Sequence, residues 1–152
     1  MKLIISFIVT FAAAALGSYF TFPSVTTWYA SLNKPFFNPP NWVFGPVWTL
    51  LYILMAISLY LVWKKEAPRP EKTKAMILYA MQLTLNALWS VIFFGMREPA
   101  LAFAEIVVLG LAVILTARSF SKISTESGRL FIPYIAWVGF AAVLNLSIVV
   151  LN

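Results

Sequence analysis

Apolar residues fall into five long runs along the chain, at about 3–22, 42–63, 75–95, 99–120 and 130–151, and most of the charge lies between them. A helical run of about 20 apolar residues, rising 1.5 Å per residue, crosses the ~30 Å hydrocarbon layer of a bilayer. The pattern therefore predicts an all-α integral membrane protein, one domain over 1–152 built as a five-transmembrane-helix bundle. The first run also has the form of a secretory signal, since Lys2 opens it and the small residues Ala12 to Gly17 close it. A membrane-spanning helix is the preferred reading, because the chain beyond this run is itself hydrophobic.

The connecting segments differ in kind. Residues 23–41 form a first loop, opened by Pro23, with a short amphipathic stretch at Val25 to Leu32 and then Lys34-Pro35 and Pro39-Pro40. Trp28, Tyr29, Phe36 and Phe37 crowd this loop and Trp42 directly follows it, as expected of a segment that rests on a membrane interface or closes over an apolar ligand. Asn41 is a candidate cap for the second helix, and Gly45-Pro46 an alternative start. The segment KKEAPRPEKTK, residues 64–74, reads as a charged hinge outside the membrane. MREP is a short loop whose Pro99 suits a helical first turn, and SKISTESGR is a second polar turn.

Composition narrows the chemistry. With 62% hydrophobic and 11% charged residues the chain lies far from soluble proteins. It has no Cys and no His, which removes disulfides, thiolate or imidazole metal ligands and the commonest general base, so no metal site is expected. The net charge of +6 is spread over short loops without a nucleic-acid-binding motif, and no nucleic-acid partner is expected. Instead the basic residues report topology. Lys2, Lys64, Lys65, Arg69, Lys72, Lys74, Arg118, Lys122 and Arg129 fall at one end of the bundle, and only Lys34 and Arg97 at the other. By the positive-inside rule the N-terminus is cytoplasmic and the first loop faces outward.

Three helices carry mixed stripes at spacings of three and four: Phe44, Trp48, Tyr52 or Leu51, Met55 and Leu59; Gln82, Asn86, Trp89 and Phe93; Tyr134, Trp137, Ala141 and Asn145. An unpaired amide is costly in hydrocarbon, so these faces should turn inward and share one space. Plain packing, with the amides joining helices, explains the same stripes. Glu105 is the one acid inside a helix. It reads as hydrogen-bonded to a neighbouring helix or snorkelling to the outer interface, and a coupling role is the alternative. Sterol-type patterns at Leu54, Tyr60 and Lys64 and at Lys2, Phe7 and Val9 discriminate little. The pairs Ala13/Gly17, Ala14/Ser18 and Ala80/Thr84 have the small-xxx-small form of close helix contact. No phosphate-binding loop, paired carboxylates or nucleophile–base arrangement is present.

The segments WYASLNKPFFNPPNWVFGPVWTLLY, QLTLNALWSVIFF and PYIAWVGFAAVLN closely resemble the tryptophan-rich sensory protein and translocator protein family, whose animal members were called peripheral benzodiazepine receptors. The resemblance covers essentially the whole chain. It implies a five-helix bundle, usually a homodimer, in a bacterial cell membrane, with a pocket beneath the first loop that binds porphyrins and isoquinoline- or benzodiazepine-type ligands. Carried over by position, the pocket residues are Trp28, Tyr29, Pro39, Phe44, Trp48, Tyr52, Asn86, Trp89, Trp137, Ala141 and Leu144. The implied partners are porphyrin or another apolar small molecule and membrane lipid, with no required cofactor beyond porphyrin as ligand. The sequence departs from animal members at NLSIVVLN, which lacks their sterol-recognition Tyr and Arg. The resemblance carries three functions as expectations: a tetrapyrrole receptor or carrier; a light- and oxygen-dependent porphyrin-degrading enzyme, with Trp48 and Trp137 as its oxidisable residues; or a structural or drug-exporter-like protein.

Overall fold

The structure, a computed structural model, describes residues 1–152. It is helical and without strands: α1 Lys2–Val25, α2 Trp28–Ser31, α3 Asn41–Lys64, α4 Arg69–Ser90 continuing into a π-helical turn Val91–Gly95, α5 Pro99–Ile123, α6 Thr125–Arg129 and α7 Ile132–Leu151. Five stretches are long and apolar enough to cross a membrane, Lys2–Val25, Asn41–Lys64, Arg69–Gly95, Pro99–Ile123 and Thr125–Leu151. The five-helix membrane bundle is the observed fold.

Several boundaries differ from the sequence reading. α1 passes through Pro23 instead of stopping before it. Its last turn is held from the side, where Ser24 Oγ donates to Phe94 O at 3.0 Å and Thr27 Oγ1 to Pro23 O at 2.8 Å. α3 starts at Asn41, yet Asn41 is not its cap. Pro40 occupies the cap position with no side-chain hydrogen bond, and Pro46 lies inside the helix, where its missing N–H leaves one backbone bond unmade. α4 begins at Arg69, well inside the expected charged hinge, because Pro70 and Glu71 both suit a helical first turn. Its charged turns extend beyond the apolar stretch. The polar turn before α7 holds the one-turn α6, whose cap is Ser124 Oγ accepting from Ser127 N at 3.4 Å.

Helix packing follows the small and polar positions. α4 packs chiefly on α5 and α5 on α7, while α1 lies against α3 and α4. At the α1–α4 crossing Gly17 faces Ser90, and a Cβ there would stand 3.2 Å from Ser90 Oγ. Thr10 and Tyr79 share a 2.6 Å hydrogen bond lower on the same interface. The Ala80/Thr84 pair instead points outward, both residues being exposed. Toward the basic end, Leu51, Met55, Val62, Tyr79, Phe120 and Phe131 belong to the larger apolar core; a smaller one joins Tyr29, Phe93, Phe94, Leu144 and Ile148 beneath the first loop. Between these two cores α3 meets α7 through large rings, with Trp48 6.3 Å from Tyr134 and Phe44 6.0 Å from Trp137. Side chains hold those helices apart. The space left is a cavity.

Candidate functional site: an aromatic cavity beneath the first loop

The cavity measures about 620 Å³, within the range of small-molecule sites. α3 supplies Phe44, Trp48 and Tyr52; α4 supplies Asn86 and Trp89; α7 supplies Trp137, Ala141 and Leu144; and Tyr29 of α2 closes the loop side. Each helix contributes one face because these residues recur at three- and four-residue spacing. Nine of the eleven residues expected in the pocket thus surround one space. Trp28 and Pro39 do not. The Trp28 ring packs edge-on against Phe93 at 5.5 Å, and the Pro39 carbonyl accepts from Asn38 Nδ2 at 3.1 Å in the loop itself.

Sequence reasoning missed the contribution of α1, whose Phe11, Ala14, Ala15, Ser18, Thr21 and Phe22 also line the cavity. The signal was present in the Ala14/Ser18 pair with Thr21 and Phe22 one turn on, a stripe of mostly small residues with little hydrophobic contrast. Ala15 of α1 and Gly45 and Thr49 of α3 are exposed as well as cavity-lining, so the wall between these two helices is thin. A Cβ on Gly45 would meet nothing within 4 Å.

The π turn is the second feature that periodicity did not reveal. Ile92, Phe93 and Phe94 are all buried, more of the circumference than one face of an α-helix can present inward. The wider π turn brings Phe93 and Phe94 both to the cavity wall. Their rings lie 4.8 Å apart at 70°, and Phe93 stacks on Trp89 at 5.0 Å and 20°. Met96 N donates back to Val91 O at 2.8 Å, and Arg97, at φ 59°, reverses the chain into α5.

Polar groups at the cavity are largely spoken for by one another. The Tyr52 hydroxyl donates to Asn86 Oδ1, Asn86 Nδ2 donates to the Tyr134 hydroxyl at 2.8 Å, and that hydroxyl donates to Gln82 Oε1 at 3.0 Å. Trp89 Nε1 donates to Asn145 Oδ1 at 3.1 Å, and Asn145 Nδ2 reaches Pro99 O at 2.8 Å, tying α4, α7 and α5 together. Gln82, Asn86 and Asn145 are 0%, 4% and 1% exposed, facing inward as amides in a membrane must. Trp137 Nε1 is buried without a partner. No Asp, Glu, Lys or Arg lines the cavity. Its walls are neutral, aromatic and hydrogen-bonded among themselves.

Glu105 departs from the hydrogen-bonded and the snorkelling readings. It is only 8% exposed, and neither carboxyl oxygen has a hydrogen-bond partner, so it neither pairs with a neighbouring helix nor snorkels to the interface. It lies on the inward face of α5, in line with Ala102, Leu109 and Ala112, and outside the cavity wall.

The loop above the cavity is tied down at several points. Lys34 Nζ donates to the carbonyls of Tyr29 at 2.8 Å and Leu32 at 2.9 Å, with its charge 5.0 Å from the Tyr29 ring. Tyr29 Oη donates to Asn38 Oδ1 at 2.8 Å, and burial pushes this hydroxyl up to about 12, so it remains a donor at neutral pH. Asn33 N donates to Asn152 Oδ1 at 2.9 Å, and Asn152 Nδ2 returns a bond to Asn33 O at 2.9 Å. Phe37 packs on Phe140 of α7 at 6.3 Å.

Comparison with known proteins bears on this geometry. The TspO/MBR family model matches residues 6–151. The tryptophan-rich protein TspO of Archaeoglobus fulgidus is 45% identical over 152 residues, 100% of this chain and 97% of that protein. The tryptophan-rich sensory protein of Cereibacter sphaeroides is 42% identical over 125 residues, 82% of this chain and 77% of its own. The human translocator protein is 40% identical over 131 residues, 86% and 78% of the two chains.

Proposed function

This chain belongs to the TspO/MBR family, and from that premise we propose that it is a membrane receptor or carrier for porphyrins, which also accepts isoquinoline- and benzodiazepine-type ligands in the cavity beneath its first loop. The observation that carries this reading is the cavity wall, with the rings of Phe44, Trp48, Tyr52, Trp89 and Trp137 around about 620 Å³ and no charged side chain. Such a slot suits a flat apolar macrocycle, which gains from stacking and from leaving water. Because the wall holds no cation, the carboxylate edge of a dicarboxylic porphyrin belongs at the mouth, near Thr26 and Asn41. Burial of the ring and exposure of the acids then account for binding together.

The test is quenching of tryptophan fluorescence by protoporphyrin and by its dimethyl ester in darkness. Saturable quenching by both, displaced by an isoquinoline ligand, is the expected result. Quenching that rises linearly without saturation contradicts the proposal.

A second reading, light- and oxygen-dependent porphyrin degradation, is favoured by one observation: Trp48 and Trp137 both line the cavity. The bound porphyrin and dioxygen supply that photochemistry, and the protein holds oxidisable indoles beside the ring and encloses the intermediates. Illumination of saturated protein separates this reading from ordinary bleaching. Replacement of both tryptophans by Phe is expected to slow loss of porphyrin absorbance while binding remains, and bleaching at the wild-type rate to the same products removes the enzymatic reading.

A further inference from the structure

At the basic end of the bundle two lysines share a single acceptor. Lys2, in the first turn of α1, donates to Trp63 O at 3.4 Å, and Lys72, in the first turn of α4, donates to the same oxygen at 3.1 Å and to Lys65 O at 2.5 Å. Two nitrogens bound to one oxygen can be no farther apart than those distances together, 6.5 Å. The negative end of the α3 dipole accounts for one cation at these carbonyls. It does not account for two, with Lys64 and Lys65 adjoining. The single ion pair of the chain, Lys65 with Glu126 at 3.8 Å, engages neither Lys2 nor Lys72. Lys64 is turned over the Tyr60 ring at 5.3 Å. The fold thus gathers two ammonium groups from different helices and gives them no counter-ion.

We propose that the phosphate of an anionic phospholipid bridges Lys2 and Lys72 at this end of α1, α3 and α4. A lipid is preferred to a soluble anion because the pair stands at the ends of three membrane-spanning helices, where headgroups lie, and Trp63 is a residue type that settles at that depth. The exposed Ile5 and Val9 of α1, three and seven residues on from Lys2, offer an apolar surface on the same side of the helix for an acyl chain. Basic side chains flanking spanning helices attract anionic lipid, and each one that touches the headgroup contributes separately to its affinity.

The experiment uses the full chain in detergent with short-chain phosphatidylglycerol, short-chain phosphatidylcholine or inorganic phosphate, read by thermal unfolding and by native mass spectrometry. Phosphatidylglycerol is expected to raise the melting temperature saturably and to remain on the protein in the spectrum, with the other two inert at the same concentration. Lys2→Gln/Lys72→Gln is expected to bind it roughly thirty-fold more weakly, and Lys74→Gln/Lys122→Gln to bind as wild type. Should the first double variant not fold, Lys2→Gln alone, which changes an exposed side chain, is expected to weaken binding roughly five-fold. Equal stabilisation by phosphatidylcholine or by inorganic phosphate overturns the proposal, as does undiminished phosphatidylglycerol binding in Lys2→Gln.

Discussion

Two buried polar residues, Asn86 and Glu105, make opposite demands on the fold. Asn86 accepts from Tyr52 and donates to Tyr134, so its amide satisfies both hydroxyls at once. Asn86→Leu is expected to destabilise by about 1–3 kcal/mol, because it leaves the buried Tyr52 hydroxyl without an acceptor and Tyr134 with Gln82 alone. Glu105 satisfies nothing. Glu105→Met removes an unpartnered buried carboxyl at nearly constant volume and is expected to leave stability unchanged or raise it. Equilibrium unfolding in detergent measures both, and a larger loss in Glu105→Met than in Asn86→Leu would show that the carboxyl has a partner after all. The inward facing of the amides was legible in the sequence, because a period of 3.6 and the expense of a bare amide in hydrocarbon point the same way. The bareness of Glu105 was not, since partners depend on which side chains of α4 and α7 reach its depth.

At the level of elements, the long apolar stretches were legible, and so were both ends of α3, the start of α5 and the end of α7, but the end of α1 and the start of α4 were not. Pro23 and Pro70 illustrate why: each is compatible with a helical turn, one with side-chain bonds to support it and the other in the first turn, where no N–H is needed. The π turn escaped entirely, because one extra residue in a turn leaves the run of apolar residues intact. Gly95 closes that turn against α1, and a Cβ there would stand 2.7 Å from Phe20 Cδ1. Gly95→Ala is therefore expected to shift the Phe20 ring and to destabilise by about 1–3 kcal/mol, with weaker ligand binding as Phe93 and Phe94 move. Unchanged stability and affinity would mean that the turn tolerates displacement. α1 supplies the complementary lesson. Its cavity face is small-residue and weakly patterned, so only the fold shows that Ala14, Ser18 and Phe22 bound the same space as Trp48 and Trp137.

For the whole molecule, charge and cavity lie at opposite ends. Nine of eleven cations stand at the end away from the first loop, which predicts a cytoplasmic N-terminus and an outward-facing loop. The chain has no Cys, so a single cysteine at Asn38 can be labelled without background; reagents confined to the outside should reach it, and labelling only from the cytoplasmic side would reverse the topology. On that topology the cavity lies in the outer half of the membrane, under a loop held by Lys34, Asn33 and Tyr29. The most direct test of a ligand-binding cavity is the dissociation constant of protoporphyrin for wild type, Trp48→Ala and Trp137→Ala, titrated in darkness with unfolding followed in parallel. Loss of one stacking ring from the wall is expected to raise the constant by about five- to a hundred-fold in each variant while the fold is retained; wild-type affinity in both would place porphyrin binding outside this cavity.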